Sequence, residues 1–448
     1  MRDKFDEQLK FYFLIPNNKL GRELEGMSKI LSENKQMLDM IHTDLTAFKD
    51  NTTGRKGLNA DQILRSAILK QYHGLSYDDL EFHLSDSVTF RAFARIEHNQ
   101  YPKKSALQSN IKAISASAWE EINRVLVNYS LKKDIEKAHM VRTDATAVDT
   151  NIHYPTDSTL LQDGIRVITR ILTGAKELKP CPEIPFSNHN RAAKKKVLTI
   201  LNSKQKKRHK AYKDLLSLAS KVEGYAQNAI PVLLAYESPV VEDAVMAQMF
   251  ADQLQHNLEL LEQVIDQTRR RVLHGEKVPA NEKITSFFEC HTDIIEKGNR
   301  ETQFGHKVFM TTGASGVILD CLMPRGNPND SVMFETLLDR QKEILGKMPK
   351  QMAADGGFAS KDNLEKAKKG GVRDMVFAKK RGLKVLDMAK SEWVYKKLRN
   401  FRAGIEGIIS ALKRAFGLDR CTWKSWEGFK KYVWSCIVTF NLQVMARA

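Results

Sequence analysis

His139-Met140-Val141-Arg142-Thr143-Asp144-Ala145-Thr146-Ala147-Val148 is the stretch on which the fold turns. It mixes β-branched and apolar residues and reads as a strand. Before it, some 130 residues carry helical patterns. Apolar residues recur at three- and four-residue spacing over 20–31 and 35–48. The polar, Gly-containing stretch 51–57 breaks the pattern, and a helix over 60–72 follows, with Gly74 as its stop. Ser76 and Asp79 have the spacing of a capping box, so a further helix begins there. Helix, tight turn and helix is the outline of a helix-turn-helix DNA reader, and equally of a corner in a structural bundle. Another amphipathic helix covers 119–129.

After the strand, long helical patterns return from about 156 to 280. Strand character resumes at 284, with expected strands over 286–290, 306–312 and 317–323. Gly313-Ala314-Ser315-Gly316 makes a hairpin turn between the last two. Asp330 or Ser331 caps a helix to about 345, and 351–355 forms a short strand ending at Gly356-Gly357. A helix over 360–369, a strand over 374–378 and helices over 394–414 and 429–445 complete the chain. A meander of strands followed by alternating strands and helices implies a mixed α/β core, with the helical block as an insertion.

The chain has 448 residues and a formal charge of +17, with 42% hydrophobic and 28% charged residues. That length implies two or three domains. The positive field favours polyanions, nucleic acid above all. No apolar run is long enough to span a membrane. Residues 1–7 lead into no apolar segment, so no secretory signal is expected. Five scattered cysteines without a C-x-x-C pair fit a reducing compartment, and cytoplasm is the expectation. No phosphate-binding loop of the Walker type is present, so no nucleotide cofactor is expected.

Three acids fall at telling places. Asp144 lies within the first core strand. Asp355 ends a later strand before two glycines that let the backbone turn sharply. Glu406 lies on a helix that carries Arg402, Ser410 and Lys413 on the same side, beside an apolar face of Ile405, Ile408, Ile409, Leu412 and Phe416. Hard oxygen donors suit Mg²⁺ or Mn²⁺, and two such ions serve phosphodiester chemistry. Arg402 and Lys413 could hold a phosphate or limit repulsion among carboxylates. Spacing and charge alone do not select these three from the 54 acids. Asp149, Asp157 and Asp163 read as turn or cap residues. Trp423, Trp426 and Trp434 could stack on nucleic acid, though aromatics at helical spacing are more often core. The histidines show no zinc spacing. Residues 191–213 hold ten lysines and arginines and no acid. Lys194, Lys195, Lys196, Lys206, Lys207 and Arg208 within them make a candidate track for a phosphate backbone, or a solvated basic helix.

Arg402-x3-Glu406-x6-Lys413 resembles the R-x3-E-x6-K part of the Y-R-E-K signature of bacterial insertion-sequence transposases of the DDE type. Arg142-Thr143-Asp144-Ala145-Thr146 resembles that family's first-Asp strand, and Ala354-Asp355-Gly356-Gly357-Phe358 its second-Asp segment. Residues 151–158 are similar to a stretch found after the first Asp in one branch. The signature's tyrosine would fall at Arg399, and Tyr395, one helical turn earlier, stands as its possible substitute. The resemblance implies an RNase H-like catalytic core over 133–155 and 284–448. It also implies a helical DNA-binding domain over 1–132 and a helical insertion over 156–283. Asp144, Asp355 and Glu406 would be catalytic and hold two Mg²⁺ or Mn²⁺ ions, Asp144 bridging both. Arg402, Lys413 and Arg399 would contact DNA. Water would cut at the element's ends, and the released 3′-hydroxyl would attack target DNA, with no covalent enzyme–DNA intermediate. Such an enzyme acts on double-stranded DNA, as a homodimer once bound, in the bacterial cytoplasm near the nucleoid. An idle DNA-binding regulator or a structure-specific nuclease on the same core are the alternatives.

Overall fold

The computed structural model describes residues 3–5, 15, 17–47, 57–296 and 301–448. Two compact units emerge, Met1–Asn151 with Gly305–Ala448, and Ile152–Phe304. The polar break expected over 51–57 lies outside the described residues except for Gly57, as do the end of the helix expected to reach 48 and most of residues 1–7.

In the larger unit, helices α1 (Lys19–Glu33), α2 (Met37–Thr46), α3 (Ala60–Tyr72), α4 (Tyr77–Asp86), α5 (Val88–Ala94), α6 (Lys104–Ala113) and α7 (Ala116–Lys132) precede the sheet. Their starts follow the side-chain chemistry of capping. Asn18 accepts from the Gly21 amide at 2.7 Å, and Asn59 with Gln62 forms a reciprocal box. The corner between α3 and α4 forms as its residues imply. Gly74 takes φ +62°, the Leu75 amide donates back to the Lys70 carbonyl at 2.8 Å, and Ser76 with Asp79 caps the next helix. Arg65, fully buried on α3, is held by Asp61 at 2.6 Å, which Arg95 also meets at 2.8 Å.

Five strands of a mixed sheet lie in this unit: β1 (Met140–Asp149), β3 (Gln303–Thr312), β4 (Ile318–Leu322), β5 (Gln351–Ala354) and β6 (Asp374–Phe377). A short strand, β2 (Asp293–Ile295), precedes β3 in the chain. β1 pairs antiparallel with β3 and β3 with β4, whereas β1 pairs parallel with β5 and β5 with β6. The spatial order is therefore β4-β3-β1-β5-β6, the RNase H-like mixed sheet. Helices α12 (Asp330–Leu345) and α13 (Lys361–Lys369) make the crossovers that parallel pairing requires. After them come α14 (Val385–Met388), α15 (Glu392–Ala415) and α16 (Trp426–Ala446).

Helices and sheet of this unit share one core. Asn441 on α16 donates to Asn123 on α7 at 2.7 Å and to the Ile318 carbonyl on β4 at 2.8 Å, and its side-chain oxygen accepts from the Ile318 amide. A buried ion pair makes a second tie. Arg340 on α12 forks onto Asp320 of β4 at 2.6 and 2.8 Å and reaches Glu120 of α7 at 2.7 Å.

The other unit is a helical bundle of α8 (Asp157–Ala175), α9 (Asn190–Asn202), α10 (Gln205–Leu234) and α11 (Val241–Thr268), packed around Leu161, Ile165, Leu215, Leu254 and Leu261. Two expectations are corrected here. The basic run over 191–213 is not one helix, because Ser203 and Lys204 are extended and separate α9 from α10. The expected strand over 286–290 is a bend. The Ser286 hydroxyl accepts from the amides of Phe288 and Glu289, both at 3.1 Å, a local turn that competes with strand pairing.

Arg340→Ala would leave Asp320, only 1% exposed, without its counter-charge. We expect a loss of about 3–5 kcal/mol in urea unfolding. The double variant Arg340→Met/Asp320→Leu should recover most of it; a double variant no more stable than the single one would show that the pair is not the source.

Candidate active site

Arg142 and Asp144, two residues apart on β1, point to the same face of the sheet. Helix α15 crosses that face against β1, β5 and β6. Arg142 fixes the crossing. Its Nε donates to the Thr312 hydroxyl at 3.0 Å and its Nη1 to the Phe401 carbonyl at 2.7 Å, while its guanidinium lies 4.5 Å from the centre of the Phe401 ring. Gly404, one turn on, allows this approach, since a Cβ there would fall on the Arg142 guanidinium.

The parallel register of β1 and β5 ends at Thr143 opposite Ala354. One residue further along each strand come Asp144 and Asp355, so the pairing itself sets these two acids side by side. Asp355 leaves the strand and starts a single helical turn, Gly356–Phe358. The backbone turns sharply at the two glycines, as expected, but without a left-handed residue. The glycines also serve close packing: a Cβ on Gly356 would press on the Lys379 side chain at 2.7 Å, and one on Gly357 would meet Asp330. Asp330 does not cap α12; Asn329 occupies that position without a side-chain bond, and Asp330 is held by Lys307 of β3 at 3.1 Å.

All three acids meet one guanidinium. Arg402 Nη2 lies 2.6 Å from Asp144 Oδ2 and 3.2 Å from Asp355 Oδ1, and Nη1 lies 2.5 Å from Glu406 Oε1. Arg402 and Asp144 are mostly buried, Asp355 is 38% exposed and Glu406 64% exposed at the side chain. The cluster thus grades from a buried floor at Asp144 to an open rim at Glu406. Among the described residues, no group of three His, Cys, Asp or Glu is arranged to hold a metal ion.

The other candidates scatter. Lys413, two turns beyond Glu406, reaches Asp419 at 3.5 Å. Arg399 is exposed on α15. Tyr395 does not take up its suggested role on a DNA-facing surface: it is 5% exposed, with its hydroxyl directed at the Phe377 carbonyl. Lys194, Lys195, Lys206 and Lys207 are exposed on the helical unit. Lys196 pairs with Asp214 at 2.6 Å, and Arg208 donates to the Ile200 carbonyl across the break between α9 and α10. Asp157 and Asp163 hold Arg271 and Arg166 and are structural. Asp149 closes the end of β1, where burial and then Asp419 raise its pKa. Trp423 and Trp434 are buried, as core aromatics are. Arg142 and the Lys307–Asp330 pair escaped sequence reasoning; only the alternation along β1, which puts Arg142 on the face of Asp144, could have pointed to one of them.

A family model described as a transposase DDE domain matches residues 263–442, and a second, a transposase domain (DUF772), matches 15–113. Together they cover more than half of the chain. The chain belongs to the DDE transposases. Asp355, Arg402 and Glu406 lie within the first match, while Asp144 lies outside both and is tied to them by geometry alone. The comparisons with curated proteins and with solved structures found no match. The transposase acts on DNA, and its family generally uses divalent metal ions. Three carboxylates that already converge on a positive charge are a hard-oxygen donor set suited to such an ion. No helix among the described residues is long and apolar enough to cross a membrane.

Arg402→Gln removes the central cation and leaves three carboxylates facing one another. In chelator, the variant should lose on the order of 2–3 kcal/mol, less than a fully buried pair because Glu406 is exposed. Mg²⁺ or Mn²⁺ should restore its melting temperature more than it raises that of the unaltered protein. Equal metal-induced shifts in both proteins would argue against Arg402 as the internal counter-charge.

Proposed function

We propose that this transposase cuts DNA at insertion-sequence ends and joins the freed end to target DNA, with Asp144, Asp355 and Glu406 as its metal-holding catalytic acids. The convergence of these acids, from two strands and a helix, on one guanidinium supports the reading most directly. Bound there, divalent ions, two in number by this reading and Mg²⁺ by preference, would polarise the scissile phosphate and lower the cost of forming an attacking oxyanion.

The chain's own residues supply placement and charge. Asp144 is fixed by strand pairing and Asp355 by the packed turn behind it, so their separation is set by the sheet. Glu406 rides on α15, which Arg142 holds against β1. Arg402 would leave the acids as they take up cations. Its Nε–H, buried and without a hydrogen-bond partner among the described residues, would then offer a further donor to a phosphate oxygen. Lys413 and Arg399, on the same helix, extend the positive surface, and the exposed lysines of α9 and α10 offer further backbone contacts. The R-x3-E-x6-K spacing of Arg402, Glu406 and Lys413 supports membership of the Y-R-E-K branch, with Arg399 in the tyrosine's place.

In the first step a water oxygen bonds to phosphorus and the bond to the 3′-oxygen breaks, releasing a 3′-hydroxyl. In the second, that hydroxyl attacks a phosphorus of target DNA and displaces another 3′-oxygen, its proton passing by way of solvent to the 3′-oxygen released. Two ends must be joined in one event, so a homodimer on DNA is proposed.

The test is a cleavage and strand-transfer assay with labelled element ends, Mg²⁺ or Mn²⁺, and a target plasmid. Asp144→Asn, Asp355→Asn and Glu406→Gln should each reduce cleavage at least about 10³-fold while end binding persists. Appreciable metal-dependent cleavage by one of these variants would remove that residue from the site. Cutting without joining by the unaltered protein would make it a nuclease, and binding with neither a regulator.

A further inference from the structure

The corner between α3 and α4 opens onto a cleft of about 710 Å³ within the larger unit, closed on its other side by the loop over 417–423 that follows α15. The lining is basic. Lys70, Lys104, Lys112 and Arg420 outnumber Asp78 and Asp419. Both carboxylates already face cations, Asp78 with Lys104 at 2.7 Å and Asp419 with Lys413 at 3.5 Å.

Lys70 is the unusual member. It lies in the last turn of α3 and is 7% exposed, yet among the described residues no carboxylate pairs with it. Its ammonium lies 4.9 Å from the centre of the Tyr77 ring. Burial lowers its pKa, and neighbouring Lys112 lowers it further. A buried ammonium without a counter-charge works against folding. Two more lining residues carry unused donors: the Tyr77 hydroxyl of α4 and the Trp423 indole N–H are buried, with no hydrogen-bond partner among the described residues. Buried donors are seldom left so. An ammonium, a hydroxyl and an indole N–H without acceptors, in a basic cleft, call for an anion with several oxygens.

We propose that this cleft binds a backbone phosphate of the DNA on which the transposase acts, with Lys70 as its buried cation. The inference rests on the transposase reading and adds a second point of attachment. The cleft's far wall is tied to the strand of the candidate active site: Arg420 bridges to Asp149, the Asp149 amide donates to the Asp419 carbonyl at 3.0 Å, and the Cys421 amide to the Asp149 carbonyl at 2.7 Å. Asp149 is five residues from Asp144, about 17 Å along a strand, roughly the axial rise of five base pairs. A phosphate held here would fix DNA between the helical corner and the acids, several base pairs from the bond to be cut.

Lys70→Met removes the charge and keeps the volume. Binding of a labelled duplex carrying the element's end to the full chain should weaken about tenfold, and the slope of log K against log salt should become shallower by about 0.9. Without DNA the variant should melt no lower than the unaltered protein. Trp423→Phe, which keeps the ring and loses the N–H, should weaken binding with the slope unchanged. An unchanged slope and affinity in Lys70→Met, with the unaltered protein binding and cutting normally, would overturn this inference and leave the transposase reading intact. A melting temperature that falls in Lys70→Met would make Lys70 structural and overturn it also. If millimolar inorganic phosphate stabilises the unaltered protein but not Lys70→Met, and DNA binding is unaffected, the cleft serves free phosphate and not DNA. Failure of the unaltered protein to bind or cut any end would instead strike the transposase reading itself.

Discussion

Three carboxylates brought within reach of one another need a cation, and in this structure Arg402 is that cation. Its position is forced by the same geometry that assembles the acids. Asp144 and Asp355 are neighbours because β1 and β5 run parallel in a register that ends one residue earlier. Glu406 joins them because α15 crosses the sheet with Arg402 four residues, about one helical turn, before it. Remove the positive charge and the mutual repulsion of the acids falls partly on Asp144, which solvent screens poorly.

The crossing of α15 is therefore the mechanical requirement. A helix resting on a sheet is usually placed by its apolar face, and Ile405 and Leu412 bury fully here. That face alone would permit sliding. Arg142 removes the freedom by binding a main-chain carbonyl, Phe401, that only one register of the helix presents. The absence of a side chain at Gly404 then lets helix and strand close. A glycine in mid-helix costs roughly 1 kcal/mol in propensity, and here that cost purchases the short distance across which Arg402 reaches Asp144.

Much of this was legible in the sequence. The strand over 139–148, the short strand before Asp355 and the helix of Glu406 were each marked by local pattern, and they stand within a few residues of where they were expected. Helix-turn-helix geometry at Gly74 was equally local, because capping and a left-handed glycine involve only adjacent residues. What failed was what depends on distant partners. Residues 286–290 have strand composition, but a serine hydroxyl captures their amides. Tyr395 has the chemistry of a DNA contact, but its helix turns it into the core. The sharp turn at Gly356 and Gly357 was legible, but not that Lys379 and Asp330 pack against them. The choice of three acids among 54 came from resemblance, since no local pattern encodes convergence.

The internal counter-charge has a thermodynamic corollary. If, as proposed, the acids take a divalent ion, that ion would have to displace Arg402, and its apparent affinity would be reduced by whatever that displacement costs. A displaced guanidinium needs a new anion, because an unpaired buried charge is costly. On the same reading, DNA would offer phosphates at the open rim beside Glu406, lower the cost of releasing Arg402 and thereby favour metal loading. Linkage would make the effect reciprocal: metal bound at the acids would strengthen the grip on DNA by the same factor. With Arg402 as the shared element, the proposed site would disfavour metal loading without DNA, and with it the uncontrolled nicking that a permanently loaded site would permit.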